Sequence, residues 1–182
     1  MFSWFRKRKS GPVIRDIVFA TEAAKQKALF ELASTSPLTV FVAWFENTRD
    51  RLREYFDYHH NESSVITYRE LRTALHRDLV FVEHYPLNEK ENNVFQSLEA
   101  KAITVYSSLD EPLFRRFGGD RISVLLEKMG LDENEPISHP LITKSIHGIQ
   151  EKIAANITID QPAAGMEEWM QKNVTPGMAG AG

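Results

Sequence analysis

Four side chains of this chain stand where chemistry is usually placed in open α/β proteins. Glu46, Glu83, His84 and Asp110 each fall at or just past the end of an apolar run that reads as a β-strand. In such sheets the carboxyl ends of the strands form the edge where ligands bind. Glu83 and His84 are adjacent and could supply a general acid–base pair or two metal ligands, with Asp110 completing the floor of the site. The structural alternative is that strand-end polar residues cap loops and helices, and no third partner is recognisable in the spacing. Asp57, His59 and His60 are also metal-ligand types. Neighbouring histidines at a helix end diverge, however, so a solvated helix terminus is expected, with imidazole favoured near the negative end of the dipole. His139 precedes Pro140, which suits the first turn of a helix, so His139 is expected to cap rather than react. No metal and no cofactor is expected.

The elements that would position these residues alternate along the chain. Asp16 to Ala20 reads as a short strand, and Thr21 caps a helix whose apolar face is Ala24, Ala28, Leu29 and Leu32. Leu38 to Phe45 is a nearly continuous apolar run, as expected of a strand covered on both faces. A helix from about Asn47 to Tyr58 follows, then a strand at Val65–Tyr68 leading into a helix from Glu70 to His76. Leu79–Val82 is the clearest strand, with a short helix from Glu89 to Leu98 after it. Ala102–Tyr106 is the last strand, and Ser108 and Glu111 have the spacing of a capping box for the helix that follows. Strand–helix alternation with short connections predicts an α/β fold with a mainly parallel sheet, helices on both faces and further helices at the C-terminal end.

Composition narrows the class. The chain has 182 residues, enough for one domain with a real core, and no cysteine, which excludes disulfides and thiolate chemistry. Its net charge is -3, but Arg6, Lys7, Arg8, Lys9 and Arg15 place five positive charges in the first fifteen residues. The remainder therefore carries -8, which argues against a globular body that binds nucleic acid. No apolar run approaches the ~20 residues that span a bilayer. MFSWFRKRKSG puts its aromatics before its basics, the reverse of a signal peptide. Residues 1–14 read as a basic, aromatic-tipped arm, 15–157 as the body, and 158–182 as a tail with one amphipathic stretch (Met166 to Val174) and a disordered end.

The stretch Ser107 to Ile157, SSLDEPLFRRFGGDRISVLLEKMGLDENEPISHPLITKSIHGIQEKIAANI, resembles one piece of the SecA preprotein translocase motor family. There a strand runs into an SLEDDL-type turn, an FGGDRI helix, a GxxExEPIEHP connector and a long TKSI-type helix. The clear similarity covers about residues 103–157, and a weaker one, through Pro37–Trp44 and Asp78–Pro86, extends it to 16–157. The resemblance implies a RecA-like domain of the helicase C-terminal-domain type, joined to the start of a helical scaffold. It also implies an ancestor that hydrolyses ATP, and here the sequence departs. No GxxxxGK[ST] loop occurs. Where the motor carries an Arg/Gly-rich motif, this chain has Leu87-Asn88-Glu89-Lys90-Glu91-Asn92-Asn93. Carboxylates in place of cationic groups reverse the electrostatics that phosphoryl transfer needs. The resemblance therefore implies a motor half without catalysis, acting as an interaction or regulatory module in bacterial protein export. Its partner would be a translocase component, a client or a chaperone. The alternatives are a nucleotide-binding module without hydrolysis, or a small enzyme using Glu83, His84 and Asp110. A cytoplasmic location, in part peripheral to the inner membrane, goes with the first reading.

Three further features bear on partners. Leu113, Phe114, Phe117, Ile122, Leu125, Leu126 and Met129 form an apolar stripe expected to be core, with Gly118-Gly119 as a corner. Ile142, Ile146, Ile149 and Ile153 mark one face of a helix from about Pro140 to Ile157, which either folds back on the sheet or presents a partner surface. Phe2, Trp4 and Phe5 followed by Arg6, Lys7, Arg8 and Lys9 have the composition of an interfacial contact with anionic lipid, at about 1 kcal/mol per basic residue. A solvated arm is the plainer expectation.

Overall fold

The computed structural model describes residues 12–73, 77–98, 100–118, 124 and 135–174. The arm residues Trp4, Phe5, Arg6, Lys7, Arg8 and Lys9, Gly119, and the stripe residues Ile122, Leu125, Leu126 and Met129 lie outside that set, as does the end of the tail from 175.

The elements follow in the order β1 (Val13–Phe19), α1 (Glu22–Thr35), β2 (Val40–Ala43), α2 (Glu46–Tyr58), β3 (Ser64–Thr67), a 3-10 turn (Tyr68–Thr73), β4 (Leu79–Phe81), α3 (Asn88–Ser97), β5 (Ala102–Ser108), α4 (Pro112–Phe117), α5 (Pro140–Ala154) and α6 (Met166–Asn173). The five strands form one sheet in the order β1-β5-β4-β2-β3, and every pairing is parallel. The expected α/β architecture holds. The segment after β3 opens as a 3-10 turn, and residues 74–76, the end of the expected Glu70 to His76 segment, lie outside the described residues.

The sheet is buried on both faces because its apolar runs alternate between two cores. Val40, Val42, Phe81, Ile103 and Val105 point to one side, where α3, α4, α5 and α6 supply Phe95, Phe114, Ile146 and Trp169. Phe41, Ala43, Val65, Val80 and Val82 point to the other, against Leu29 and Ala33 of α1 and Leu52 and Phe56 of α2. Such a continuous apolar run satisfies two cores at once, which is why Val40–Ala43 has no exposed residue.

One open alternative is decided here and one expectation is corrected. The Ile142, Ile146, Ile149 and Ile153 face is no free partner surface: all four are buried against the sheet and its flanking helices. An isoleucine every third or fourth residue builds a stripe wide enough to lie on a sheet, and β1 offers it Val18, whose backbone also bridges Ile137 just upstream of α5. Nor does the body end at residue 157. Helix α6 buries Met166, Trp169 and Met170 in the core, and Asp160 accepts hydrogen bonds from Trp169 Nε1 at 2.7 Å and Tyr85 Oη at 2.6 Å. A tryptophan removed from water on this scale dominates any local energetics.

Candidate functional site

The carboxyl edge of the sheet is where β1, β2, β4 and β5 hand over to α1, α2, α3 and α4. Backbone N–H groups at such handovers lack partners within the helix and are natural anion sites. In this chain they are taken by its own carboxylates. Trp44 N and Phe45 N, entering α2, both donate to Glu83 Oε1 at 3.0 and 3.1 Å, and Thr48 Oγ1 donates to Glu83 Oε2 at 2.8 Å. Asn47 N donates to the carbonyl of Ala164, brought over α2 by the segment leading into α6. Glu22 N, opening α1, donates to Asp110 Oδ2 at 2.8 Å, beside the Thr21 cap. Tyr85 N, before α3, donates to Glu91 Oε1, and Ser108 N, before α4, donates to Glu111 Oε1 at 2.8 Å. The Ser108/Glu111 spacing is thus used in one direction only, since the Ser108 hydroxyl donates to Glu22 instead.

Lys25 lies at the centre of this edge. Its ammonium has three protons and three oxygens around it: Glu111 Oε1 at 2.7 Å, Glu22 Oε2 at 2.9 Å and the Val82 carbonyl at 3.1 Å. Burial alone would lower its pKa, but the Glu111 and Glu22 carboxylates raise it well above the ordinary lysine value. Glu111 is pushed up by its own burial, against the pull of Lys25. Glu83 is pushed up to about 7, first by burial and then by repulsion from Glu111, and the Thr48 and Phe45 hydrogen bonds only partly offset this.

A second buried network lies beside the first. His84 Nδ1 faces both oxygens of Glu91 at 3.1 and 3.2 Å, and its Nε2 faces Asp16 Oδ1 at 3.5 Å, longer than a hydrogen bond. Gln150 of α5 donates to Glu91 Oε2 and to the Tyr85 carbonyl, both at 2.8 Å, while Thr143 donates to Asp16 Oδ2. Burial works against the imidazolium, yet Glu91 and then Asp16 outweigh it and raise His84 to about 9. His84 is therefore a buried cation at neutral pH, tying β1, the β4–α3 turn and α5 together.

The predicted site residues consequently separate. Glu83 and His84 are buried side by side in sequence but serve different networks, so they do not form an acid–base pair. Glu46 is exposed at the start of α2 and meets Arg69 at 3.4 Å, an ion pair of little energetic weight. Asp110 is exposed as the α1 cap. Asp57, His59 and His60 are exposed at the end of α2, and among the described residues no group of His, Asp and Glu is arranged to hold a metal ion. His139 Nδ1 accepts from Leu141 N at 3.2 Å and caps α5. The cavity at the edge, lined by Lys25, Thr48, Arg51 and Val82 among others, measures about 10 Å³, room for a single water.

Sequence reasoning missed Lys25, Asp16, Glu91 and Gln150. Two of them leave a signal. Lys25 shares its helical face with Leu29 and Ala33 at four-residue spacing, and Asp16 shares its strand face with Val18, so each is a charge on a buried stripe.

Fold and edge together define the class: an all-parallel, RecA-like α/β domain whose anion positions are filled from within. The comparisons with known proteins place part of it. No family model matches the chain. Over 48 residues, 26% of its length, it is 54% identical to the protein translocase subunit SecA of Acidithiobacillus ferrooxidans. Over stretches of the same length it is 50% identical to SecA of Desulforapulum autotrophicum and 48% identical to SecA of Sorangium cellulosum. The match spans only 5 to 6% of those curated relatives. A quarter of this chain is thus a SecA-related region.

Proposed function

We propose that this chain is a non-catalytic, SecA-related interaction or regulatory module of bacterial protein export, working in the cytoplasm or at the surface of the inner membrane. One observation carries the reading: the N–H groups of Trp44, Phe45 and Asn47 at the head of α2 are bound by Glu83 and by the Ala164 carbonyl. A phosphate would have to displace a buried carboxylate and then face Glu83 and Glu111 across a site with about 10 Å³ of space. Lys25, the cation placed to receive it, has no uncommitted proton. The sequence supports the same reading, because it has neither a GxxxxGK[ST] loop nor an arginine in Leu87–Asn93. An enzyme at this edge would need a substrate-sized pocket beside Glu83, whereas the cavity that its neighbours Thr48 and Val82 line measures about 10 Å³.

The test is binding to purified components of the export machinery, with ATP turnover measured in parallel. The reading predicts association with a translocase subunit, a client or a chaperone and no hydrolysis above background. Turnover that survives purification and is lost in Lys25→Met would overturn it.

A further inference from the structure

An open groove lies between α3 and the C-terminal half of α5, with a volume of about 630 Å³. Leu87 and Val94 of the α3 side and Ala154 and Ile157 of the α5 side make its walls apolar. Ile159 at its end is 68% exposed. The rim is acidic: Glu89, Glu151 and Asp160 supply three carboxylates against one ammonium, Lys90. That ammonium is already held by Asp160 at 2.7 Å and Tyr85 Oη at 2.8 Å, which leaves Glu89 and Glu151 as exposed negative charges over an apolar floor. An occupant must therefore be apolar, with several positive charges beside the apolar part.

The chain contains a segment of that composition, in Phe2, Trp4 and Phe5 followed by Arg6, Lys7, Arg8 and Lys9. Its point of attachment is close by. Val13 N donates to the Lys101 carbonyl at 3.0 Å, and Lys101 follows by four residues Ser97, the last residue of α3 and part of the groove. From Val13 back to Trp4 is nine residues, a reach of up to about 30 Å. Helix α3 is ten residues long, or about 15 Å, so the reach covers the groove from end to end. Tethering also gives the arm a high effective concentration there, with no competing partner needed.

We propose that the amino-terminal arm docks in this groove within the same molecule, with Trp4 and Phe5 on the apolar floor and Arg6–Lys9 against Glu89 and Glu151. The docked arm covers an apolar surface and neutralises its rim.

A nitroxide at Ser3→Cys tests this cleanly, because the chain has no cysteine of its own. In the full-length protein it should broaden the amide signals of Val94, Ser97, Ala154 and Ile157. Glu89→Lys with Glu151→Lys should abolish that broadening; both side chains are exposed, so the fold is kept. Trp44 and Trp169 are buried, so acrylamide quenching reports Trp4, which should become at least twofold more quenchable in the double variant. No broadening in the unaltered chain would overturn the proposal. So would broadening seen between a nitroxide-bearing chain and a separate isotope-labelled chain, which would assign the groove to a second copy. Trp4 protected only by anionic vesicles would overturn it in favour of a lipid contact.

Discussion

Lys25 and Glu111 are 86 residues apart in sequence, and their charged atoms meet at 2.7 Å in a site where both side chains are buried. This contact ties the first helix to the last strand's turn, and it leaves the lysine no proton for an outside anion. Breaking it by Lys25→Met leaves Glu111 buried without a cation, and we expect a loss of about 3–5 kcal/mol in urea unfolding at pH 7. Lys25→Met with Glu111→Leu should recover most of that loss, since replacing a buried pair by apolar groups is close to neutral. A single variant as stable as the parent would mean that the pair does not organise this edge.

Glu83 makes stability fall as the pH rises. Folded, it holds its proton up to about 7; unfolded, it releases it near the ordinary value of 4.5. Between those values the unfolded chain binds fewer protons, so stability declines by about 3 kcal/mol over the window and then levels off. Glu83→Gln keeps an acceptor for Trp44 N and Phe45 N and should flatten this part of the curve. Glu83→Ala leaves those donors and Thr48 unsatisfied and should cost about 2–4 kcal/mol at pH 4, a difference that shrinks as the parent loses stability between pH 4.5 and 7. Melting curves from pH 4 to 8 separate the three.

His84 acts in the next window. Its folded pKa of about 9 lies above the unfolded 6.5, so its stabilisation is complete below pH 6.5 and is lost as the pH rises through 9. The imidazole nitrogen shifts of His84 should report a cation at pH 7.5, above the ordinary histidine value of 6.5. His84→Gln should remove the decline between pH 6.5 and 9 and cost about 3–5 kcal/mol at pH 6 by stranding Glu91 and Asp16. A neutral His84 at pH 7 would refute the account of this network.

Much of this could be read in the sequence, because local rules governed it. All five strands announce themselves as β-branched or aromatic runs, and Thr21 and His139 stand immediately before the helices they cap. What escaped depends on partners far apart in the chain. Gln150 meets Glu91 across 59 residues and Thr143 meets Asp16 across 127, and no spacing rule anticipates such pairs. Glu83 and His84 were visible as candidates, but only the structure shows that neighbours in sequence belong to separate networks. The docking of residues 158–174 escaped for a related reason: Ala164 reaches α2 across more than a hundred residues, and a side chain at Gly165 would meet Asn47 Nδ2 at 2.7 Å.

The integration of that tail gives a further expectation. Trp169→Ala removes a fully buried indole, which we expect to cost about 3–5 kcal/mol. Truncation after Ile157 should be worse, because besides Trp169 it strips Asp160 from Tyr85 and Lys90 and Ala164 from the head of α2. If the truncated chain melts within a few degrees of the full one, the tail is not part of the domain.

The most direct test of the central claim, that the anion positions of the sheet edge are filled by the protein's own carboxylates, is a titration with ATP and ADP in the presence of Mg²⁺. It would be followed by melting temperature and by the amide signals of Trp44, Phe45 and Asn47. A ligand that binds only the folded chain raises its melting temperature once its concentration is well above the dissociation constant. We predict no rise in melting temperature and no movement of those three signals up to millimolar nucleotide. A rise accompanied by shifts at Trp44 and Phe45 would show that phosphate displaces Glu83, and would contradict the account.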